Sequence, residues 1–218
     1  MPLSSAQMDL PFDPALPRCW WSGATATRAD PLMVAYHDEE WGTPCHDDVE
    51  LFERLALESF QAGLSWSTIL RKREAFRTAF SGFDAAVVAA FDDGDRQRLM
   101  ADAAIVRNRA KIDATIGNAA AWLDTAAEFG SVDAYLMSIV PPPPARLAPD
   151  ATSADLPPRT EVSDRLSADL RRRGFRFVGS TIVYSFIQSV GLVDDHLPGC
   201  FRYEGGQPRA GSASIVTR

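Results

Sequence analysis

His196 and Cys200 stand close together in "DDHLPGC" (194–200), in a chain of 218 residues that holds only three histidines and three cysteines. Imidazole nitrogen and thiolate sulfur are ligands that zinc prefers, and a structural zinc takes four of them in a tetrahedron. An H-x3-C pair is half of such a site. The other half must come from Cys19, His37, Cys45 or His46. Cys45 and His46 are adjacent, so their side chains diverge unless the backbone turns sharply. Spacing alone leaves the choice open. It also admits a capping histidine beside an inert cysteine, or a Cys19–Cys200 disulfide.

Other residues point to a different chemistry. In "DDVELFERLALESFQAG" (47–63), Glu58 shares a helical stripe with Leu51, Leu55 and Ala62, while Glu50 and Glu53 fall on other faces. A carboxylate on an apolar stripe costs several kcal/mol unless it is paired. Glu58 is therefore either a satisfied structural group or part of a site. Trp20, Trp21, Tyr36, Trp41 and Trp66 gather in the first half of the chain, several beside polar or turn residues. Most tryptophans in a helical protein belong to the core, but aromatic faces also stack on bases and attract cations. In "RGFRFVGS" (173–180), Gly174 and Gly179 let backbone N–H groups approach an anion, and the helix that follows adds a favourable dipole. Arg171, Arg172, Arg173 and Arg176 add positive charge around them.

The elements that must hold these groups read as all-α. Helical periodicity runs through 47–63, with Asp47 as its cap, and through 65–80, with Ser65. It continues in "DAAVVAAF", "DRQRLMADA", "NRAKIDATIGNAAAWLDTAAEFG" and "SVDAYLMSIV", which stops at the prolines 141–144. A stretch without strong periodicity follows, to about residue 159. Then come "TEVSDRLSADLRRRG" and "GSTIVYSFIQSVG", two helices joined by a tight turn. A hydrophobic content of 46% with 23% charged residues is ordinary for a soluble domain. No apolar run approaches the ~18 residues of a membrane span. The net charge of −7 argues against a nucleic-acid partner for the molecule as a whole, so phosphate affinity would rest on local basic clusters. The first 17 residues lack the basic and apolar regions of a signal peptide, so a cytoplasmic setting is expected. A disordered arm (1–17) and tail (205–218) are expected to flank one domain over 18–204, acting as a monomer.

"RCWW" (18–21), "DPLMVAYHDEEWGTP" (30–44), "LESFQAGLSWSTILRKREAFR" (57–77), "IVRNRAKIDATIGNA" (105–119) and "RRGFRFVGSTIVYSFIQSVGLVDDHLPGC" (172–200) together resemble the 3-methyladenine DNA glycosylase I family. The resemblance runs from residue 18 to about 204. It implies a helix-hairpin-helix fold in which Cys19, His37, His196 and Cys200 bind one zinc as a clasp between the chain ends. Four protein ligands leave no open position, so that zinc would be structural. Trp21, Tyr36, Trp41 and Trp66 would line a base pocket, and Glu58 would contact the methylated base. Arg173, Gly174, Arg176 and Gly179 would grip the backbone of double-stranded DNA without reading sequence. The implied reaction is hydrolysis of the N-glycosidic bond of a flipped 3-methyladenine in alkylated DNA, a step of base excision repair. Asp194 in "VDDH" stands where related glycosylases keep a catalytic aspartate and where this family typically reads Asn. Met33 and Trp20 also depart from the family's usual residues. No lysine lies in 171–180, and the chain has only Lys72 and Lys111, so no Schiff-base lysine for strand cleavage is expected. The rival reading is a zinc-containing DNA-binding module without catalysis, which has no need of Glu58 on an apolar stripe.

Overall fold

The computed structural model describes residues 12–24, 29–142 and 144–203. Of the expected arm, residues 1–11 lie outside that range, as does the expected tail over 205–218. Residues 12–17 form a turn in which the carbonyls of Asp13 and Leu16 accept from the Arg18 guanidinium.

Local caps decide where the helices begin. Asp30 caps α1 (Pro31–Ala35), which continues into a wide π turn, Tyr36–Glu40. Asp47 accepts from Val49 and Glu50 to start α2 (Asp48–Gln61), and Ser65 accepts from Thr68 to start α3 (Trp66–Ala79). The short α4 (Ala85–Ala89) and α5 (Asp93–Ala101) follow, capped by Asp84 and Asp92. Asn108 opens α6 (Arg109–Phe129), which Gly130 closes at φ 88. Ser131 caps α7 (Val132–Ile139) and Thr160 caps α8 (Glu161–Arg172). Gly179 precedes α9 (Ser180–Ser189) without any side-chain cap. Each side-chain cap contributes about 1 kcal/mol.

The chain is mostly helical, as its periodicity predicts. A parallel pairing of β1 (Ala145–Arg146) with β2 (Val193–Asp194) fastens the proline-rich connection to the segment before His196. Two residues per strand are too few to show alternation.

At the centre lies α2, packed against α3, α6, α7 and α9. Every residue from Leu51 to Phe60 is buried. The single-stripe reading of this helix is therefore incomplete: Glu53 is 5% exposed and Glu58 is 4% exposed. Enclosure on all sides removes the distinction between faces, and what separates the two carboxylates is their partners. Around α2 the core is aromatic, with Phe60 and Phe76 at 4.6 Å and Phe80 stacked on Phe83 at 5.6 Å. Among the described residues no helix is long and apolar enough to cross a membrane.

Candidate functional site

Residues 19 and 37 meet residues 196 and 200 at four potential ligand atoms. Cys19 leads into a single 3-10 turn (Trp20–Ser22), and His37 lies on the π turn, whose Trp41 N–H donates to the Tyr36 carbonyl at 2.9 Å. His196 and Cys200 come from the loop after β2. The four side chains are buried and their ligand atoms all lie within 4.8 Å of one another. Cys200 Sγ is 3.4 Å from His37 Nε2, and His196 Nδ1 is 3.7 Å from each sulfur. Ordinary zinc bond lengths at a tetrahedral angle put sulfur and nitrogen about 3.6 Å apart, so the donor set fits that ion.

The groups behind the ligands orient them. His37 Nδ1–H donates to Asp38 at 2.8 Å, and Asp38 is gripped in turn by the Arg18 guanidinium. His196 Nε2–H donates to the Trp41 carbonyl at 3.2 Å, which leaves Nδ1 facing the sulfurs. Backbone N–H groups of Leu197 and Arg202 donate to Cys19 and Cys200, each at 3.4 Å. A hydrogen bond from Cys19 holds the Cys200 thiol far below its usual range and raises Cys19. Such a cluster of lone pairs and thiolate charge suits a cation. Cys45 instead contacts Glu50 at 3.5 Å, and His46 pairs with Asp133 at 3.0 Å. All three cysteines are free thiols.

Next to this group the expected aromatic residues converge. Trp21 lies 4.9 Å from Trp41 and 6.2 Å from Tyr36, and Tyr36 lies 5.1 Å from Trp66. With Met33 and Leu70 they form a second cluster, joined to the main core through Trp66. A cleft of about 610 Å³ opens beside it, lined by Trp21, Met33, Asp30, Ser67 and Arg71.

Glu58 makes no hydrogen bond with any described residue. Burial pushes its carboxyl up to about 8, with Arg54 opposing. The Tyr36 phenol is raised first by its own burial and then by Glu58, so the two share one environment. Trp66 Nε1–H is also buried without an acceptor. Glu53 is the contrast. Burial opposes its charge, but Arg77 at 2.8 Å and Arg73 at 2.5 Å outweigh that and lower its pKa. Buried polar groups in folded proteins are nearly always paired. Glu58 and the Trp66 N–H, both without a partner among the described residues, share the surroundings of Tyr36: Trp66 at 5.1 Å, and Glu58 near enough to raise the phenol.

The connection between α8 and α9 is held from behind. Asn118 on α6 binds Arg176 twice, donating to its carbonyl at 3.0 Å and accepting from its N–H at 2.8 Å. Ser59 on α2 donates to the Phe177 carbonyl at 3.0 Å, and Ser167 on α8 to the Val178 carbonyl at 2.6 Å. Consecutive carbonyls are thus drawn inward. The N–H groups of residues 177–182 find no acceptor among the described residues. Phe177 takes φ 54 to achieve this, and Gly174 takes φ 95. A Cβ on Gly179 would meet only the Arg171 side chain, at an ordinary 3.5 Å, so the fold itself does not demand glycine there. Open N–H groups at a helix start are suited to phosphate.

A sequence model described as methyladenine glycosylase matches residues 25–203. The chain belongs to the methyladenine glycosylase family. The Escherichia coli (strain K12) DNA-3-methyladenine glycosylase 1 is 46% identical over 191 residues, 88% of this chain and 99% of that protein. The Haemophilus influenzae DNA-3-methyladenine glycosylase is 42% identical over 184 residues, 84% of this chain and 96% of the relative. A crystal structure of 3-methyladenine DNA glycosylase I superposes with a TM-score of 0.80 at 45% identity, covering 85% of this chain and 99% of that one. The Staphylococcus aureus 3-methyladenine DNA glycosylase I, studied for 3-methyladenine recognition, gives 0.75 at 40% identity, covering 78% and 90%.

Within this methyladenine glycosylase, two expected site residues are engaged elsewhere. Arg173 is turned inward, bound to Glu128 at 2.6 Å and Asp169 at 2.7 Å, with its guanidinium over the rings of Phe129 and Tyr135. Of the expected hairpin cations, Arg171 and Arg176 remain exposed without a carboxylate partner among the described residues. Asp194 pairs with Arg146 at 2.9 Å and accepts the His196 N–H at 3.4 Å. It serves the β1–β2 register and the loop that carries His196 and Cys200. Trp20, beside the pocket in sequence, is 71% exposed. Lys72 and Lys111 each donate to two backbone carbonyls. The reading from sequence missed Ser59, Asn118 and Ser167. The partners of Ser59 and Asn118 lie 118 and 58 residues away, and that of Ser167 lies 11 residues away across the α8–α9 turn, so no helical period signals any of them.

Proposed function

We propose that this methyladenine glycosylase releases 3-methyladenine from alkylated double-stranded DNA by hydrolysing the N-glycosidic bond of a nucleotide flipped out of the duplex. The carrying observation is Glu58: a buried carboxylate with no hydrogen-bond partner among the described residues, close enough to Tyr36 to raise its phenol. A 3-methylated adenine still attached to its sugar is cationic. Entering the pocket, it meets aromatic faces that attract a cation and supplies the positive charge that lets Glu58 ionise. A normal adenine brings no such charge and leaves the carboxylate unsatisfied. Methylation has already activated the leaving group. When the bond from the sugar C1′ to the base breaks, its electron pair returns to the ring and neutralises it, and water adds to C1′ and gives up a proton to solvent. Selective binding thus carries most of the discrimination.

Arg171, Arg176 and the open N–H groups of 177–182 take the phosphates on either side, with Gly174 and Gly179 allowing close approach. Cys19, His37, His196 and Cys200 would hold one zinc per chain. Bound there, the ion supplies a cross-link between chain ends, and no position is left for a reacting water. Both lysine amines are engaged by carbonyls, which supports a glycosylase that stops at the abasic site. The protein acts as a cytoplasmic monomer.

The test is incubation with duplex DNA treated with a methylating agent, followed by chromatography of the released bases. Free 3-methyladenine and intact strands carrying abasic sites are expected. Tight duplex binding without any released base would overturn the reading in favour of a DNA-binding module.

A further inference from the structure

We propose that the metal group and the base pocket are one coupled unit, in which His196 is a positioning residue acting through the Trp41 carbonyl. This rests on the reading of the Cys/His group as a zinc site and of the aromatic cluster as the base pocket.

Most of the pocket wall hangs directly on the ligands. Trp21 lies two residues beyond Cys19, and Tyr36 immediately precedes His37. The Trp21 ring packs on the His37 imidazole at 5.2 Å, and the Trp41 ring stands at 88° to the His196 imidazole at 4.7 Å. A carbonyl oxygen can only accept, so the His196 Nε2–Trp41 contact at 3.2 Å makes Nε2 the protonated nitrogen. A cation on Nδ1 polarises the ring and strengthens the N–H donor on its other side. That donor fixes the backbone of Trp41, and the Trp41–Trp21 contact at 4.9 Å carries the constraint into the wall.

The intervening segment has no slack. Gly42 N–H donates to the Gln188 carbonyl and Cys45 N–H to the Val190 carbonyl, each at 3.1 Å. A Cβ on Gly191 would come within 2.5 Å of the Pro44 nitrogen, and one on Gly42 would come within 3.0 Å of His196 Nε2. Residues 41–45 are therefore clamped between the end of α9 and the imidazole, and a shift of the ring must be passed on. Linkage makes the effect reciprocal: if the metal tightens the pocket, the base must perturb the metal group by the same free energy.

The wild-type chain loaded with cobalt(II) tests this, because visible absorption bands report the sulfur–nitrogen ligand field. Titration with free 3-methyladenine should change those bands saturably, over the same concentrations that alter tryptophan fluorescence. Bands that stay unchanged while fluorescence saturates would overturn the coupling alone. Failure of cobalt to bind, or of the base to alter fluorescence, would strike the metal or pocket reading and the coupling with it. A second arm compares Gly42→Ala with Gly130→Ala. Both residues have positive φ, +73 and +88, but a Cβ at Gly130 meets nothing. Affinity for the free base should fall about five- to tenfold in Gly42→Ala only. Its affinity for undamaged duplex should match the control. Equal base affinity in the two variants overturns the proposal. If Gly42→Ala does not fold, the cobalt titration decides.

Discussion

Glu53 and Glu58 are both buried on α2 and differ in how cations reach them: Glu53 is ion-paired, whereas Glu58 feels the charge of Arg54 without pairing with it. Glu53 lies between Arg73 and Arg77. Glu58 has no hydrogen bond with any described residue, and burial holds its carboxyl up at about 8 against an ordinary value of 4.5. Between those two pH values the folded state keeps a proton that the unfolded chain has lost, so stability falls as pH rises through the window. Replacing Glu58 by Gln removes that penalty. The stability gap between variant and wild type should widen from pH 5 to pH 8 by on the order of 4 kcal/mol. Urea denaturation at the two pH values checks this, and parallel profiles would contradict it. The same variant should excise 3-methyladenine about 10- to 150-fold more slowly, from the loss of one charged hydrogen bond, with unchanged affinity for undamaged duplex. Asp194 behaves otherwise. Because it serves Arg146 and the His196 N–H, Asp194→Asn should keep a near-normal single-turnover rate while Tm falls by about 2–4 °C. A rate loss of tenfold or more would return it to the reaction.

At the scale of elements, the α8–α9 connection is a loop whose carbonyls are tied from behind by Asn118, Ser59 and Ser167. Its cations separate by partner. Arg176 is exposed, so Arg176→Ala should lower the slope of duplex affinity against salt by about 1 without loss of stability. Arg173 is enclosed by Glu128, Asp169 and two rings. Arg173→Ala should leave the slope alone and destabilise by about 1–3 kcal/mol, through unpaired carboxylates and lost packing. Gly179→Leu should weaken duplex binding at unchanged Tm, because the added side chain projects where the phosphate must come rather than into the fold. Fluorescence anisotropy over a salt series, beside thermal melts, separates these outcomes.

For the whole molecule, a zinc held by Cys19, His37, His196 and Cys200 would close the chain from residue 19 to residue 200 into a loop. Cross-linking so long a loop removes unfolded-state entropy amounting to about 5 kcal/mol by analogy with a disulfide. Cys200→Ala should lose its zinc and melt far below the wild type, whereas Cys45→Ser should retain one zinc per chain. Elemental analysis and calorimetry test both, and a full complement of zinc in Cys200→Ala would refute the clasp.

What the amino-acid order determined by itself is what acts over a few residues. Asp47, Ser65, Asn108, Ser131 and Thr160 start their helices because a cap needs only the next turn, and helical periods set which segments form the core. The ordered blocks of residues that resemble one family also pointed to Trp21, Tyr36, Trp41 and Trp66 and to Cys19, His37, His196 and Cys200, which the fold gathers into one aromatic cluster and one Cys/His group. Tertiary structure decided the rest, because the free energy of a buried or half-buried charge depends on what is brought to it from elsewhere. Glu53 and Glu58 read differently along α2, yet both are buried and only Glu53 is ion-paired with arginines. Arg173 and Arg176 look alike in "RGFRF", yet one is caged by α6 and α7 while the other faces solvent. Cys45 was a possible ligand by type, yet the chain delivers it to Glu50 and delivers Cys19 to His196.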